Sequence, residues 1–421
     1  MKKIKLGDVL DVRRGPGLSG EYYASSGDKI RLTLGNFIYP GDGFKQDTSK
    51  DDLFFIGKVK PEYILKKGDI IIPLTEQVRG LLGSVATIPE DDLYIQNGDV
   101  ALVLPNETVL DKRFAYYLVS SPIVRKQLDA GSQQTKIRHT SPAKIKKCVA
   151  LIPEKINKQE QIANCLDKIK DKINNNVKII EELESMVELI YDYWFLQFDF
   201  PDEDGNPYKS SGGEMIYSEI LRKDIPAKWQ AKQLSNSLLF NVIKPGIKSF
   251  EGAKIYLETA DVEGSAILEG KNTTYNNREN RANMQPVANS VWFAKMKNSI
   301  KHIVFTQQSK WMIDNYILST GFTGFDCKDS SISYIWSYIN NPLFEKTKDF
   351  RAGGSTQEAI SDDELKLFNI LEPSDDILIK YNQIVLPIIN KHNNIIIENK
   401  KLSEMRDFLI PLLMNGQATI V

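Results

Sequence analysis

Side chains able to recognise a nucleic acid are concentrated in one stretch of this chain. Between Ala130 and Pro153 no acidic residue occurs, while Lys136, Arg138, His139, Lys144, Lys146 and Lys147 accumulate. They surround a loop of small hydrogen-bonding side chains, Ser132, Gln133, Gln134 and Thr135. Glutamine can bond an adenine edge bidentately and arginine a guanine edge, whereas lysine, serine and threonine commonly hold phosphates. A similar loop recurs late in the chain as Ser355, Thr356 and Gln357, but Glu358, Asp362, Asp363 and Glu364 follow it. The basic run is therefore not repeated, and the second region must find its cations elsewhere. Lys244, Lys248, Lys271, Arg278, Arg281, Lys295 and Lys297 are candidates there, and Arg13, Arg14, Gln77 and Arg79 are candidates in the first region. The residues alone leave two readings open. A charge run is ordinarily a solvated face, and Arg138 or Arg281 can equally pair with surface carboxylates. The two loops can equally be structural junctions, with glycine supplying a tight turn and serine capping the next element.

Chemistry that makes or breaks bonds is poorly represented. His139, His302 and His392 stand alone in the sequence, and no Cys/His/Asp group has metal-ligand spacing. No G-x-x-x-x-G-K-[ST] phosphate loop occurs, so the chain is not expected to hydrolyse ATP. Asn206-Pro-Tyr208 resembles part of an adenine methyltransferase motif, but it lacks the second proline and sits in a turn-rich stretch. Pro201-Asp202 and Glu269-x-Lys271 mimic a nuclease pattern at far too long a separation. No catalytic residue, metal site or bound cofactor is expected.

Composition sets the class. A chain of 421 residues with 42% hydrophobic and 26% charged residues is too long for one ordinary domain and can bury more than one core. No apolar stretch is long enough to span a bilayer, and the basic start MKKIKLGDVLDV has no apolar run behind it. Three widely spaced cysteines, Cys148, Cys165 and Cys327, suit a reducing cytoplasm better than a disulfide framework. A formal net charge of −1 means that any contact with a polyanion must use local basic surfaces.

The elements that must position these side chains come as a repeat. Leu151–Trp194 and Leu371–Leu413 both open on Leu-x-Pro, both carry Gln-Ile some ten residues later, and both continue as a long apolar-periodic segment. Each follows one of the two polar loops. Before each lies a globule of strand-like runs and a helical piece. In the first globule the runs include Ile30–Leu34, Asp69–Pro73 and Val100–Leu104, with a helical piece at 112–128. In the second they include Ile255–Leu257, Val291–Phe293 and His302–Phe305, with a helical piece at 331–349. The expected division is a first globule at 1–150, a helical segment at 151–200, a charged linker at 201–228, a second globule at 229–370 and a final helical segment at 371–421.

In the first helical segment Ile162, Leu166, Ile169, Ile173, Asn176, Ile180, Leu183, Val187, Ile190 and Trp194 alternate spacings of four and three, the seam of a coiled coil. The offset that carries Ile162 onto Ile384 places Ile388, Lys391, Ile395, Glu398, Leu402, Met405, Leu409 and Leu412 on the second seam. At Asn176 and Glu398 the seam turns polar in equivalent places, either facing solvent or fixing register at some cost in stability. Pro387 predicts a kink or break near the start of the second helix. A helix of roughly 35–40 residues is ~55 Å long. Two of them in one chain would pack antiparallel and hold the globules apart like a bar. From periodicity alone, a dimerisation coil or a scaffold without a nucleic-acid role reads the same helices.

The combination resembles the specificity subunit of type I restriction-modification systems. The resemblance rests on Leu151-Ile-Pro-x(5)-Gln-Glu-Gln-Ile162, on Tyr193-Trp-Phe-Leu-Gln-Phe-Asp-Phe200 and on Gly205-Asn-Pro-Tyr-Lys-Ser-Ser-Gly-Gly213. Arg406-Asp-Phe-Leu-Ile-Pro-Leu-Leu-Met-Asn-Gly416, Lys67-Gly-Asp-Ile-Ile-Ile-Pro73 and the two Gly-Ser-x-Gln loops add to it, in order along the full chain. It implies an α+β fold with two mixed target-recognition domains, separated by two long antiparallel helices in a pseudo-two-fold repeat. It implies double-stranded DNA as ligand, each globule reading one half of a split target. It also implies two methyltransferase and two restriction subunits as partners, with S-adenosylmethionine, ATP and Mg²⁺ on those partners.

Overall fold

Ile70–Pro73 and Val100–Pro105 carry unbroken apolar runs, which suit strands covered on both faces, and Ile70, Ile71, Ile72 and Val100 through Val103 are all buried. The computed structural model describes residues 1–38, 42–76, 80–131, 138–354 and 358–420. The chain divides into two compact units, one of Met1–Ile173 with Lys401–Val421 and one of Asn174–Lys400. Each long helix thus contributes to both units, and the helical segments do not form separate bodies.

In the first unit a four-stranded antiparallel sheet runs in the order Leu10–Arg14, Val100–Pro105, Ile70–Pro73, Ala86–Thr87. A second sheet runs Tyr23–Ala24, Phe54–Phe55, Ile30–Arg31, Tyr94–Ile95, its last pair parallel. Lys2–Lys5 pairs antiparallel with Val149–Ile152. The helical piece is two helices, Lys112–Val119 and Pro122–Gly131, divided where Ser121-Pro122 restarts the chain.

The second unit repeats the first sheet and the terminal strand pair of this path, and its second sheet keeps a parallel pair but differs in strand order. Its first sheet runs Phe240–Ile243, Phe322–Cys327, Ser290–Ala294, His302–Phe305. Its second runs Lys271–Thr273, Lys254–Leu257, Tyr316–Ser319, Ala282–Met284, with the middle pair parallel. Gln230–Gln233 pairs with Asn369–Glu372, as Lys2–Lys5 does with its partner. Helices Ile332–Asn340 and Pro342–Arg351 follow, again divided before a proline. The fold is α+β in both units.

The stretch expected as a linker is folded. Met215–Ser218 and Lys223–Pro226 form a hairpin, and the Phe200 ring stacks on Tyr208 at 4.6 Å and on Trp229 at 4.7 Å between centres. Aromatic area of this size is too valuable to leave in water, so 201–228 joins the core of the second unit.

The long helices run Ile156–Tyr191, followed by a π-helical turn Asp192–Leu196, and Asp375–Met414. Gln159, from the motif that opens the first, is fully buried and bonds Asp111 N, Val109 O and Pro153 O. In the second unit the helices pack antiparallel. Asn176 meets Asn399, Ile180 clusters with Ile395 and Ile396, Glu184 meets His392, and Trp194 meets Tyr381. In the first unit Ile162 and Leu166 share a core with Ile410 and Leu413.

On the first helix Ile162, Leu166, Ile169, Ile180 and Val187 are buried, and Ile173 and Leu183 are half-buried. The transposed seam on the second helix is displaced. Ile384 is 46% and Met405 51% exposed, and Ile388, Leu402 and Leu409 are half-buried, leaving Ile395 buried. The buried stripe is Tyr381, Val385, Ile389, His392 and Ile396. An α-helix drifts against a strict seven-residue repeat, and this segment packs on a globular core as well as on its partner helix, so equivalence in sequence did not carry over to burial. Nor does Pro387 break the helix. Val385 and Ile389 on either side are buried in that core, and Gln383, whose carbonyl loses its helical donor, is exposed.

Candidate nucleic-acid interface

The second unit gathers most of its cation candidates on one face. Strand Phe240–Ile243 ends in Lys244-Pro245-Gly246, with Gly246 at φ +146°, a backbone that glycine alone adopts easily. From there Gly246 donates its N–H to the Asn283 carbonyl at 2.8 Å and bridges to Met284. The exposed Lys244 and Lys248 are thereby held beside strand Ala282–Met284, directly after Arg281. Phe250 meets Tyr275 edge-on at 5.7 Å between ring centres. Lys254 Nζ lies 5.2 Å from the Phe250 ring, and the Arg278 guanidinium stacks over Tyr275 at 4.2 Å. Burial pushes the Lys254 ammonium below its usual range. Rings alternating with cations give a surface that attracts phosphate while fixing its own side chains. Lys244, Lys248 and Arg281 make no ion pair among the described residues. Lys271, in contrast, binds Glu258 and lies 3.3 Å from Glu279, and the Glu258 hydrogen bond holds its ammonium above the usual range. Lys297 pairs with Glu358 at 2.8 Å and Lys295 with Asp362 at 2.9 Å.

The first unit builds the corresponding turn after strand Leu10–Arg14. Arg13 donates to the Glu62 carbonyl at 2.7 Å and Arg14 to that of Gly98 at 2.6 Å. Gly15 is pressed on Asn97, where a Cβ would fall 2.2 Å from the carbonyl oxygen. The turn is thus held against loop 56–62, which exposes Lys58 and Lys60. The basic run is largely occupied. Arg138, on a short strand paired with Thr75–Glu76, binds Glu76 at 2.9 Å and Asp129 at 2.6 Å. Glu76 is only 2% exposed, so Arg138 answers a carboxylate that could not stand alone there. Lys144 bonds the Gly131 carbonyl at 2.8 Å and Lys146 pairs with Asp11 at 2.9 Å. Gln77, Arg79, Ser132, Gln133, Gln134, Thr135, Lys136, Ser355, Thr356 and Gln357 lie outside the described residues.

Residues 1–185 match the family model of the type I restriction modification DNA specificity domain. The chain is 22% identical over 409 residues to the specificity subunit of the type I restriction enzyme HindI from Haemophilus influenzae, across 84% of this chain and 87% of that one. It is 24% identical over 381 residues to the MjaIX specificity subunit from Methanocaldococcus jannaschii, across 85% of this chain and 79% of that one. The chain is thus similar, along most of its length, to specificity subunits of type I restriction enzymes. Its fold agrees. The crystal structure of the type I S subunit from M. genitalium superposes with a TM-score of 0.53 at 16% identity, over 98% of this chain and 96% of that one.

Two buried polar groups of this chain were invisible in its sequence, because they join residues far apart in it. His392 Nε2 lies 3.0 Å from Ser265 Oγ and 3.2 Å from Glu184 Oε1. Serine, histidine and carboxylate meet, but hydroxyl and carboxylate address the same ring nitrogen. A proton relay needs one on each side of the ring. Burial works to raise the Glu184 carboxyl, yet hydrogen bonds from His392 and Ser265 outweigh it and hold it below its usual range. His302 places Nε2 at 2.9 Å from Glu345 and Nδ1 at 2.9 Å from Asn340, and Glu345 pairs at 2.6 Å with the fully buried Lys348. Among the described residues no cluster of histidine, cysteine or carboxylate could hold a metal ion, and no helix is long and apolar enough to cross a membrane.

Proposed function

We propose that this chain is the DNA-reading and assembly subunit of a type I restriction-modification complex, each globule reading one half of a bipartite, asymmetric target. The observation that carries this is one strand path used twice with different surfaces. Two copies of one frame provide two reading heads, and unlike surfaces make a palindromic target unnecessary. The long helices set the distance between half-sites and dock two methyltransferase and two restriction subunits. Support for docking comes from exposed apolar residues on the helices. Met186, Leu189, Tyr193 and Leu196 recur at spacings of three and four and are 40–70% exposed, a second seam that no helix covers among the described residues. Met405 and Phe408 offer a comparable patch in the first unit, 51% and 68% exposed. The chain itself is non-catalytic and cytoplasmic, and S-adenosylmethionine, ATP and Mg²⁺ belong to its partners.

Exchange of the second globule, residues 229–370, for that of another family member tests the reading, with methylome sequencing of a host carrying the whole system. One half-site changes and the other stays. An unchanged motif would refute the two-head reading. Docking is tested by Leu189→Glu, which abolishes co-purification of a methyltransferase subunit without unfolding the chain. Spacing is tested by one helical turn inserted after Asn175 with a matching turn in the second helix. Four residues add about 6 Å, so the tolerated gap lengthens by about two base pairs.

A further inference from the structure

We infer that the loop between strands Lys271–Thr273 and Ala282–Met284 reads base edges for the second globule, with Asn276, Asn277 and Asn280 selecting adenine. The inference rests on the proposal that this globule reads a half-site. From Asn272 to Asn283 the chain runs NTTYNNRENRAN, five asparagines and two arginines with Glu279 as the one acid. Glu279 lies 3.3 Å from Lys271, so its charge is answered and the loop presents a cationic surface. The backbone of the loop satisfies itself. Asn277 N–H donates to the Thr274 carbonyl at 3.2 Å and Ala282 N–H to that of Glu279 at 2.9 Å, and the Arg281 carbonyl accepts from Thr320 at 2.9 Å.

In turns, asparagine side chains ordinarily fold back onto nearby backbone N–H groups. Here Asn276, Asn277 and Asn280 are exposed, and none makes a side-chain hydrogen bond among the described residues. Their amides keep one donor and one acceptor in the fork that matches N7 and N6 of adenine in the major groove. The mount is firm, because Arg278 stacks over Tyr275, Tyr275 packs on Phe250, and Gly246 bonds Asn283. Lys244, Lys248 and Arg281 flank it as phosphate contacts that give register without sequence. The topologically matching loop of the first globule, 56–62, contains no asparagine and offers Lys58 and Lys60 instead.

Asn276→Ala, Asn277→Ala and Asn280→Ala, singly and together, are assembled with the partner subunits and read by methylome sequencing. At least one single variant loses discrimination at an adenine of one half-site by roughly 5- to 150-fold, while the other half-site and the gap stay as they are. Unaltered stringency in all four variants overturns the assignment, as does relaxation spread over both half-sites. If the triple variant fails to assemble, the single variants decide. The globule exchange described above separates the two levels. A motif changed by the exchange but by none of the asparagine variants removes this loop and leaves the two-head reading standing.

Discussion

The helix Pro122–Gly131 buries Leu128 in the core of the first globule, and the helix Pro342–Arg351 buries Lys348 at the matching place in the second. An apolar side chain needs only space. A buried ammonium needs an answering charge, and Glu345 supplies it from one turn earlier at 2.6 Å, with the Ser299 carbonyl accepting at 2.9 Å. The first globule has Arg125 where the second has Glu345, and directs it to Asp42 at 2.5 Å. Burial raises the Asp42 carboxyl in spite of that pair. The same contrast holds at the interface. The first globule spends Arg138, Lys144 and Lys146 on its own structure, whereas the second leaves Lys244, Lys248 and Arg281 without ion pairs among the described residues. A strand path can be kept while charge moves between core and surface, since the path depends on backbone pairing and the charges on local partners.

The largest expected effect breaks that contrast at its most buried point. Glu345→Gln leaves the Lys348 ammonium uncompensated and destabilises the second globule by about 3–5 kcal/mol, with no change in the first. Two resolved transitions in denaturant unfolding, only one of them shifted, would register this, and a single common shift would contradict it. Next is Asn176→Leu. It removes hydrogen bonds of 2.8 Å to both Glu398 and Asn399 and costs about 1–3 kcal/mol. Thermal unfolding no lower than that of the wild type would mean that the polar seam is dispensable.

A smaller effect separates free from engaged cations. Lys244→Ala and Lys248→Ala each lower the salt dependence of DNA binding by the assembled complex by about one counterion, and weaken all sequences alike. Arg138→Ala leaves that slope unchanged. Filter binding over a range of salt concentrations distinguishes them. The smallest effect is acid lability. Burial alone would raise the carboxyls of Glu184, Glu345 and Glu372, but hydrogen bonds from His392, His302 and Lys232 hold each below its ordinary value of 4.5. Their contribution is full above that value and is lost as pH falls through the lowered values, so the second globule loses stability in acid. Stability of the second globule that does not change below that value would argue against it.

Much of the plan was legible in the chain itself. The repeat, the two long helices, the first helical seam and the strand runs at Ile70–Pro73 and Val100–Pro105 follow from periodicity and turn residues, which are local properties. The motifs Leu151–Ile162 and Tyr193–Phe200 carried the resemblance to specificity subunits. What spacing could not reach depended on which distant residues meet. Arg138 read equally as a DNA contact or an ion-pair partner until Glu76 and Asp129 were placed around it, and His392 read as isolated until Glu184 and Ser265 closed on it. Ile384 fell off the buried stripe because packing, not sequence equivalence, determines how a helix turns its face. The sequence by itself determined that there are two globules, two helices and one shared frame. Tertiary structure alone decided which charges remain available to a ligand, because whether an ion is spent depends on what lies within a few ångströms of it.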